Sequence, residues 1–232
     1  MKINLYFIRH GESISNKNRD IFNSNTNLIQ KIHLFIKTIR YEPPLSLNGI
    51  KQSYKLKKKL KNINFDLIFC SNLIRSVMTG MFACDPNQEL IISPFINEEL
   101  NFLGNFDKSN KPNSPDILNK KIKYITRWLD NIHIKYPKVN LEFYNNYSNN
   151  YKDYNVNEFL KFLINIIKIK KINKDEVNIC IFTHGNFIRH YIYPYFTGSK
   201  YTDNFHNTQI AFFSITPFSL ENGTAKKLSF LP

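Results

Sequence analysis

The chain has 232 residues, 42% of them apolar and 15% aromatic, and it carries a formal net charge of +14. That apolar content supplies a core for one large α/β domain or two small ones and excludes a disordered or low-complexity chain. No run approaches the roughly 18 apolar residues of a membrane span, and residues 3–8 are too short for a secretory signal. The charge has a plain origin. Lys, Asn and Ile are inflated together, and the lysines are spread along the chain apart from one cluster at residues 55–61. They read as solvated surface, so the charge by itself points to no nucleic-acid partner. Cys70, Cys84 and Cys180 are odd in number and scattered. They read as reduced core thiols in a cytoplasmic setting, with neither a disulfide frame nor a zinc site.

In chain order, residues 3–8 form a short apolar run suited to a buried strand, which ends at Arg9-His10-Gly11-Glu12. Residues 20–44 are Asn-rich with a partly amphipathic middle, a loop-plus-helix excursion. Ser46 is placed to cap a helix carrying Leu47, Ile50 and Tyr54. Residues 66–70 read as a second strand, 72–83 as a helix and 89–92 as a third strand. Residues 93–115 hold three prolines and read as a long surface loop. A helix over 116–135 contains the only tryptophan, Trp128. Residues 141–157 are rich in Tyr and Asn without a period and read as a loop or mobile insert. Residues 158–170 form the clearest amphipathic helix and feed the best strand, 177–182. A short helix (187–195) and two strands (208–216, 225–230) close the chain. Strands alternating with helices predict an α/β layered fold around a mostly parallel sheet, with no internal repeat and no domain boundary.

Two places share one grammar, an apolar strand followed by a His-Gly tip: Phe7-Ile8-Arg9-His10-Gly11 and Ile181-Phe182-Thr183-His184-Gly185. In parallel α/β sheets the carboxyl ends of strands line the ligand crevice, so both histidines can meet there. The strand ending near Cys70 leads to Ser71-Asn72-Leu73-Ile74-Arg75, which sets Arg75 on a helix's first turn beside the same crevice. Singly, each histidine is more often a satisfied core group than a catalyst. Two arginines and two histidines together make a pocket for a dianion such as a phosphate monoester, because the planar guanidinium binds phosphate oxygens in pairs.

With these residues in view, the sequence resembles the histidine phosphatase superfamily, the phosphoglycerate-mutase-like phosphatases. The resemblance rests on Arg9-His10-Gly11-Glu12-Ser13 with Asn16, Pro44-Leu45-Ser46-Leu47-Asn48-Gly49 with Gln52, Ser71-Asn72-Leu73-Ile74-Arg75-Ser76 with Thr79, Pro94-Phe95-Ile96-Asn97-Glu98, and Thr183-His184-Gly185, in that order. It implies a three-layer sandwich of the phosphoglycerate-mutase-like type over residues 1–232, with inserts near 17–44, 100–115 and 140–157. It also implies phosphomonoester hydrolysis through a phosphohistidine, with no cofactor and no metal. His10 is the expected nucleophile. Arg9, Arg75, His184 and Asn16 are the expected phosphate contacts, His184 also sharing in catalysis, and Glu98 is the expected acid and base, with Glu99 adjacent. Asn16 reads equally well as a turn residue. Glu12 reads as a structural carboxylate in a helix's first turn. Where the family often has an aspartate, Glu42-Pro43 stands here, with a minor effect expected.

The expected substrate is a small-molecule or protein-borne phosphomonoester, with no membrane partner. Two rivals remain. One is phosphoglycerate-mutase-type transfer, against which stands the lack of the Glu-Arg-His-Tyr-Gly and Trp-Arg-Arg stretches of those mutases. The other is an idle basic binding protein or scaffold on the same fold.

Overall fold

The computed structural model describes residues 1–23, 42–98, 113–146, 155–216 and 226–231. The expected helix within 20–44, most of the loop at 93–115 and Glu99 lie outside them. The described strands form one seven-stranded sheet in the order β4-β3-β2-β5-β1-β6-β7. They are β1 (Lys2–Arg9), β2 (Leu67–Ser71), β3 (Glu89–Ser93), β4 (Lys138–Asn140), β5 (Glu176–Thr183), β6 (Ile210–Ile215) and β7 (Lys226–Leu231). From β4 through β1 every pairing is parallel, and β6 runs antiparallel to both β1 and β7. The α/β class and the mostly parallel sheet are therefore as expected.

Period-two alternation explains why the sheet is covered on both faces. Ile3, Leu5 and Phe7 of β1 join Leu67, Phe69, Ile179 and Ile181 in one core cluster. Tyr6 and Ile8 join Ile68, Cys70, Cys180 and Phe182 in the other. The first cluster is closed by α6 (Val156–Ile169) and by the helical run that follows β5. The second is closed by α2 (Leu47–Leu60), α3 (Ile74–Ala83) and α4 (Pro115–Asn131). This gives the three layers. No helix among the described residues is long and apolar enough to cross a membrane.

The cysteines are all free and buried in the second cluster, where burial pushes the Cys84 thiol up to about 12. They are inert packing groups. The lysine cluster has an equally local account: Lys57, Lys58 and Lys59 occupy the last turn of α2, where cations complement the carbonyl end of the helix.

The stretch expected as a loop is helical over part of its described residues, while 147–154 lie outside them. Short β4 is followed by α5 (Glu142–Asn146), whose Tyr144 is fully buried. Near the amino end, α1 (Ile14–Asn23) begins the excursion. Ser46 does cap α2, its side chain accepting from Gly49 N–H at 3.0 Å.

Gly49 also lets two motifs touch. A Cβ there would lie 2.0 Å from the Glu12 carbonyl oxygen, and one on Gly11 would lie 2.7 Å from the Gly49 oxygen. Around this contact Ser46 N donates to the Glu12 carbonyl at 2.9 Å, and Glu12 N donates to Gln52 Oε1 at 2.8 Å. Gly49→Ala must push two backbones apart, at a cost near the upper end of overpacking, about 3 kcal/mol. A fall in Tm of roughly 6–12 °C is expected on thermal unfolding; an unchanged Tm would show that the contact is not tight.

Candidate active site

Register brings the two histidines together. Arg9 of β1 pairs with Thr183 of β5, and His10 and His184 are the residues that immediately follow the two strands. His10 N donates to the Thr183 carbonyl at 3.0 Å, which continues the ladder one step into the crevice. The imidazole centroids lie 5.2 Å apart, with 2% of His10 and none of His184 exposed.

Arg75 enters from α3, on the first turn after β2. Its Nε donates to His10 Nε2 at 3.1 Å, and its Nη2 lies 3.6 Å from Glu98 Oε2. Thr79, one turn along, donates to the Arg75 carbonyl at 2.7 Å and accepts from Gly11 N at 3.0 Å. The helix that carries the arginine is thus tied to the loop that carries the histidine. Arg9 leaves β1 beside Gly185, where a Cβ would come within 3.2 Å of its Cδ and Nε. Its Nη1 donates to the Phe205 carbonyl.

Glu98 is delivered by the loop after β3. Thr183 Oγ1 donates to the Ile96 carbonyl at 2.7 Å, and Asn97 Nδ2 to the Pro94 carbonyl at 2.7 Å. The carboxylate then accepts from Asn186 N at 3.2 Å through Oε1, while Oε2 lies 3.2 Å from His184 Nδ1.

Electrostatics follow from this crowding. Burial first, then Arg75, His184 and Arg9, push His10 well below the ordinary histidine range, so it is neutral near pH 7. Burial, followed by Arg75, also lowers His184, against the opposing pull of Glu98. Burial would raise the Glu98 carboxyl, but His184 first, then Arg75 and Arg9, outweigh it and hold the acid below its usual range. His10 Nδ1 sits 2.6 Å from the Gly11 carbonyl oxygen. A neutral ring must then carry its proton on Nδ1, leaving the Nε2 lone pair toward Arg75.

His10, Glu98 and His184 each offer one atom within 4.8 Å of the others, a spacing a metal ion also accepts. The Arg75 guanidinium sits against two of the three. A fixed cation there suits an incoming dianion and opposes a metal cation.

Of the expected contacts, Arg9, His10, Arg75, Glu98 and His184 lie around one crevice. Asn16 is hydrogen-bonded at the start of α1, as its turn reading expects. Its Oδ1 accepts from Ser13 N and Ser13 Oγ at 3.1 and 3.0 Å, while Asn16 N donates back to Ser13 Oγ at 3.2 Å, a capping box. Glu12 is structural, but it belongs to the start of α2: its carboxylate accepts from Ser46 Oγ and from Asn48 Nδ2.

Glu42 holds a structural place beside the site. Its buried carboxylate accepts from Ile74 N, the first N–H of α3, from Asn113 Nδ2 at 2.8 Å and from Lys121 Nζ. Asn113 Nδ2 also donates to the Asn72 carbonyl at 2.8 Å, and Asn72 Nδ2 donates to the Tyr144 hydroxyl at 2.6 Å. This network braces the turn that presents Arg75.

Residues 5–103 match the histidine phosphatase superfamily, branch 1. That match bears out the resemblance for the motifs up to Glu98; Thr183-His184-Gly185 lies beyond it. The matched residues include Arg9-His10-Gly11, Arg75 and Glu98. Among relatives, an uncharacterised protein of Acanthamoeba polyphaga mimivirus is 33% identical over 129 residues, which cover 53% of this chain and 23% of that protein. A 2,3-bisphosphoglycerate-dependent phosphoglycerate mutase of Arabidopsis thaliana is 30% identical over 95 residues, 41% of this chain and 24% of the mutase. The chain thus spans about a quarter of the length of these two relatives. The fold is shared more widely. An Escherichia coli structure described as a putative alpha-ribazole-5'-P phosphatase superposes with TM-score 0.55 at 17% identity, covering 99% of this chain and 96% of that one. Phosphoserine phosphatase from Entamoeba histolytica, solved with 3-phosphoglyceric acid, gives 0.53 at 19% identity, covering 99% and 97%. Phosphoglycerate mutase from Bacillus anthracis gives 0.54 at 18%, covering 98% and 92%. The fold is phosphoglycerate-mutase-like, the type seen in histidine phosphatases and mutases.

Proposed function

We propose that this protein hydrolyses phosphomonoesters through a phosphohistidine on His10 Nε2. The observation that carries the reading is the pairing of the Gly11 carbonyl with His10 Nδ1 and of Arg75 with Nε2. One nitrogen is anchored and the other faces a cationic pocket.

A bound phosphoryl group takes over the Arg75 donors, with Arg9 and His184 contacting its other oxygens, and so frees the Nε2 lone pair. That lone pair attacks phosphorus as the P–O bond to the leaving alcohol breaks. The Gly11 carbonyl offsets the positive charge that forms on the ring. Glu98 supplies the proton to the departing oxygen, then takes one from the water that cleaves the P–N bond. In the empty site Glu98 is ionised because cations face it. A dianion offsets those cations and lets the carboxyl gain its proton as substrate arrives. The protein then works in a cytoplasmic setting, consistent with its three buried free thiols.

Leaving-group dependence tests the reading. Glu98→Gln should slow an alkyl phosphate by about 100-fold, within the range of a lost general acid. An aryl phosphate, which departs with little protonation, should slow far less. Equal losses on both substrates would remove Glu98 from the acid's role.

A further inference from the structure

We propose that Ser71 is a positioning residue that fixes the tautomer of His184, keeping the ring proton on Nδ1, the nitrogen that faces Glu98. The inference rests on the phosphatase reading only for its consequence, the presentation of an N–H donor to a phosphoryl oxygen; the tautomer itself follows from the geometry.

Ser71 is the last residue of β2 and is fully buried. Its Oγ accepts from Leu73 N at 3.2 Å and lies 2.7 Å from His184 Nε2. A hydroxyl has one proton, and among the described residues Nε2 is the acceptor that Ser71 Oγ contacts, so the O–H points at the imidazole. A neutral ring that accepts at Nε2 carries its proton on Nδ1. The opposite tautomer fails twice. It would leave the Ser71 proton without an acceptor in a buried site, and it would set the bare Nδ1 lone pair 3.2 Å from Glu98 Oε2. The serine is itself braced, because Ser71 N donates to Ser76 Oγ at 3.2 Å and Ser76 Oγ donates to the Phe182 carbonyl at 2.7 Å. The β2 and β5 strand ends are therefore held at the separation this hydrogen bond needs.

The charged and titratable groups around the ring are Arg75 from α3, Arg9 and His10 from the end of β1, and Glu98 from the loop after β3. Of its immediate partners, only Ser71 bonds the neutral form's lone pair. Removing that donor favours the imidazolium, so the ring should take up its proton at higher pH.

The test is an imidazole nitrogen NMR titration of the full-length protein with 15N-labelled histidine, the His184 signals assigned with His184→Gln. Wild type should show a pyrrole-like Nδ1 and a pyridine-like Nε2. Ser71→Ala should move the His184 titration upward and lower kcat about tenfold, the effect of one lost hydrogen bond. Ser71→Thr, which keeps the hydroxyl, should restore both. A wild-type proton on Nε2, or an unmoved titration in a folded Ser71→Ala, would overturn the proposal. The wild-type spectrum alone decides if the alanine variant does not fold. A correct tautomer without any phosphatase turnover would fault the functional reading and leave the role of Ser71 standing.

Discussion

Replacing His10 with alanine should abolish turnover and phosphoryl labelling together while leaving the fold intact. The side chain is buried, but its ring contacts are polar and concentrated on the Gly11 carbonyl and Arg75, and the β1–β5 ladder does not depend on it. The wild type should trap a phosphoenzyme that is labile in acid and stable in base, as a P–N bond is. Its formation should stay level as pH falls through 6.5, because burial, Arg75 and the other cations hold His10 neutral well below that point. The linkage has the same sign for stability. An unfolded histidine binds a proton below about 6.5 that the folded one refuses, so acid favours the unfolded chain. Undiminished activity in the alanine variant, or an acid-stable phosphoenzyme, would remove His10 from the nucleophile's place.

Arg75→Ala should have the second-largest effect. The guanidinium reaches His10 and Glu98 at once and is only 3% exposed, so its loss strips the pocket of fixed charge where water is excluded. The loss of one preorganised donor costs about 3–4 kcal/mol of transition-state stabilisation, or 100- to 1,000-fold in kcat/KM. Vanadate, which imitates the trigonal-bipyramidal phosphoryl group, should weaken in parallel. Arg75→Lys should recover part of the vanadate affinity and little of the rate, since an ammonium supplies charge without the planar fork. If vanadate inhibits Arg75→Ala as strongly as wild type, the guanidinium does not bind the phosphoryl group.

The candidate site was legible in the sequence because its residues sit beside strong local signals. His10 and His184 each follow an apolar strand, and Arg75 follows the strand that ends near Cys70. Glu42 was not legible in the same way. Its partners Ile74, Asn113 and Lys121 lie 32, 71 and 79 residues away, and no local pattern marks a carboxylate that caps a helix from a distance. Tyr144 was hidden for a related reason. It fills the core from a five-residue helix within a Tyr- and Asn-rich stretch, too short for a helical period to emerge. Asn16 shows the opposite case, a motif residue whose turn-forming chemistry accounts for every hydrogen bond it makes here. Ser71 was quoted as part of a motif, yet its partner is 113 residues away, so its role needed the folded chain.

The pairing of Arg9 with Thr183 has a consequence for how such a protein can change. The gap between the two imidazoles is gauged by adjacent strands in the middle of the sheet, a dimension that backbone hydrogen bonding holds constant. The inserts expected near 17–44, 100–115 and 140–157 lie, in sequence, outside β1 and β5, the two strands that set that gauge. Lengthening, shortening or exchanging them should therefore leave the spacing of the two imidazoles as it is. On the proposed reading, a chimaera that carries a phosphatase's loops on this sheet should change its substrate preference and still form the same phosphoenzyme.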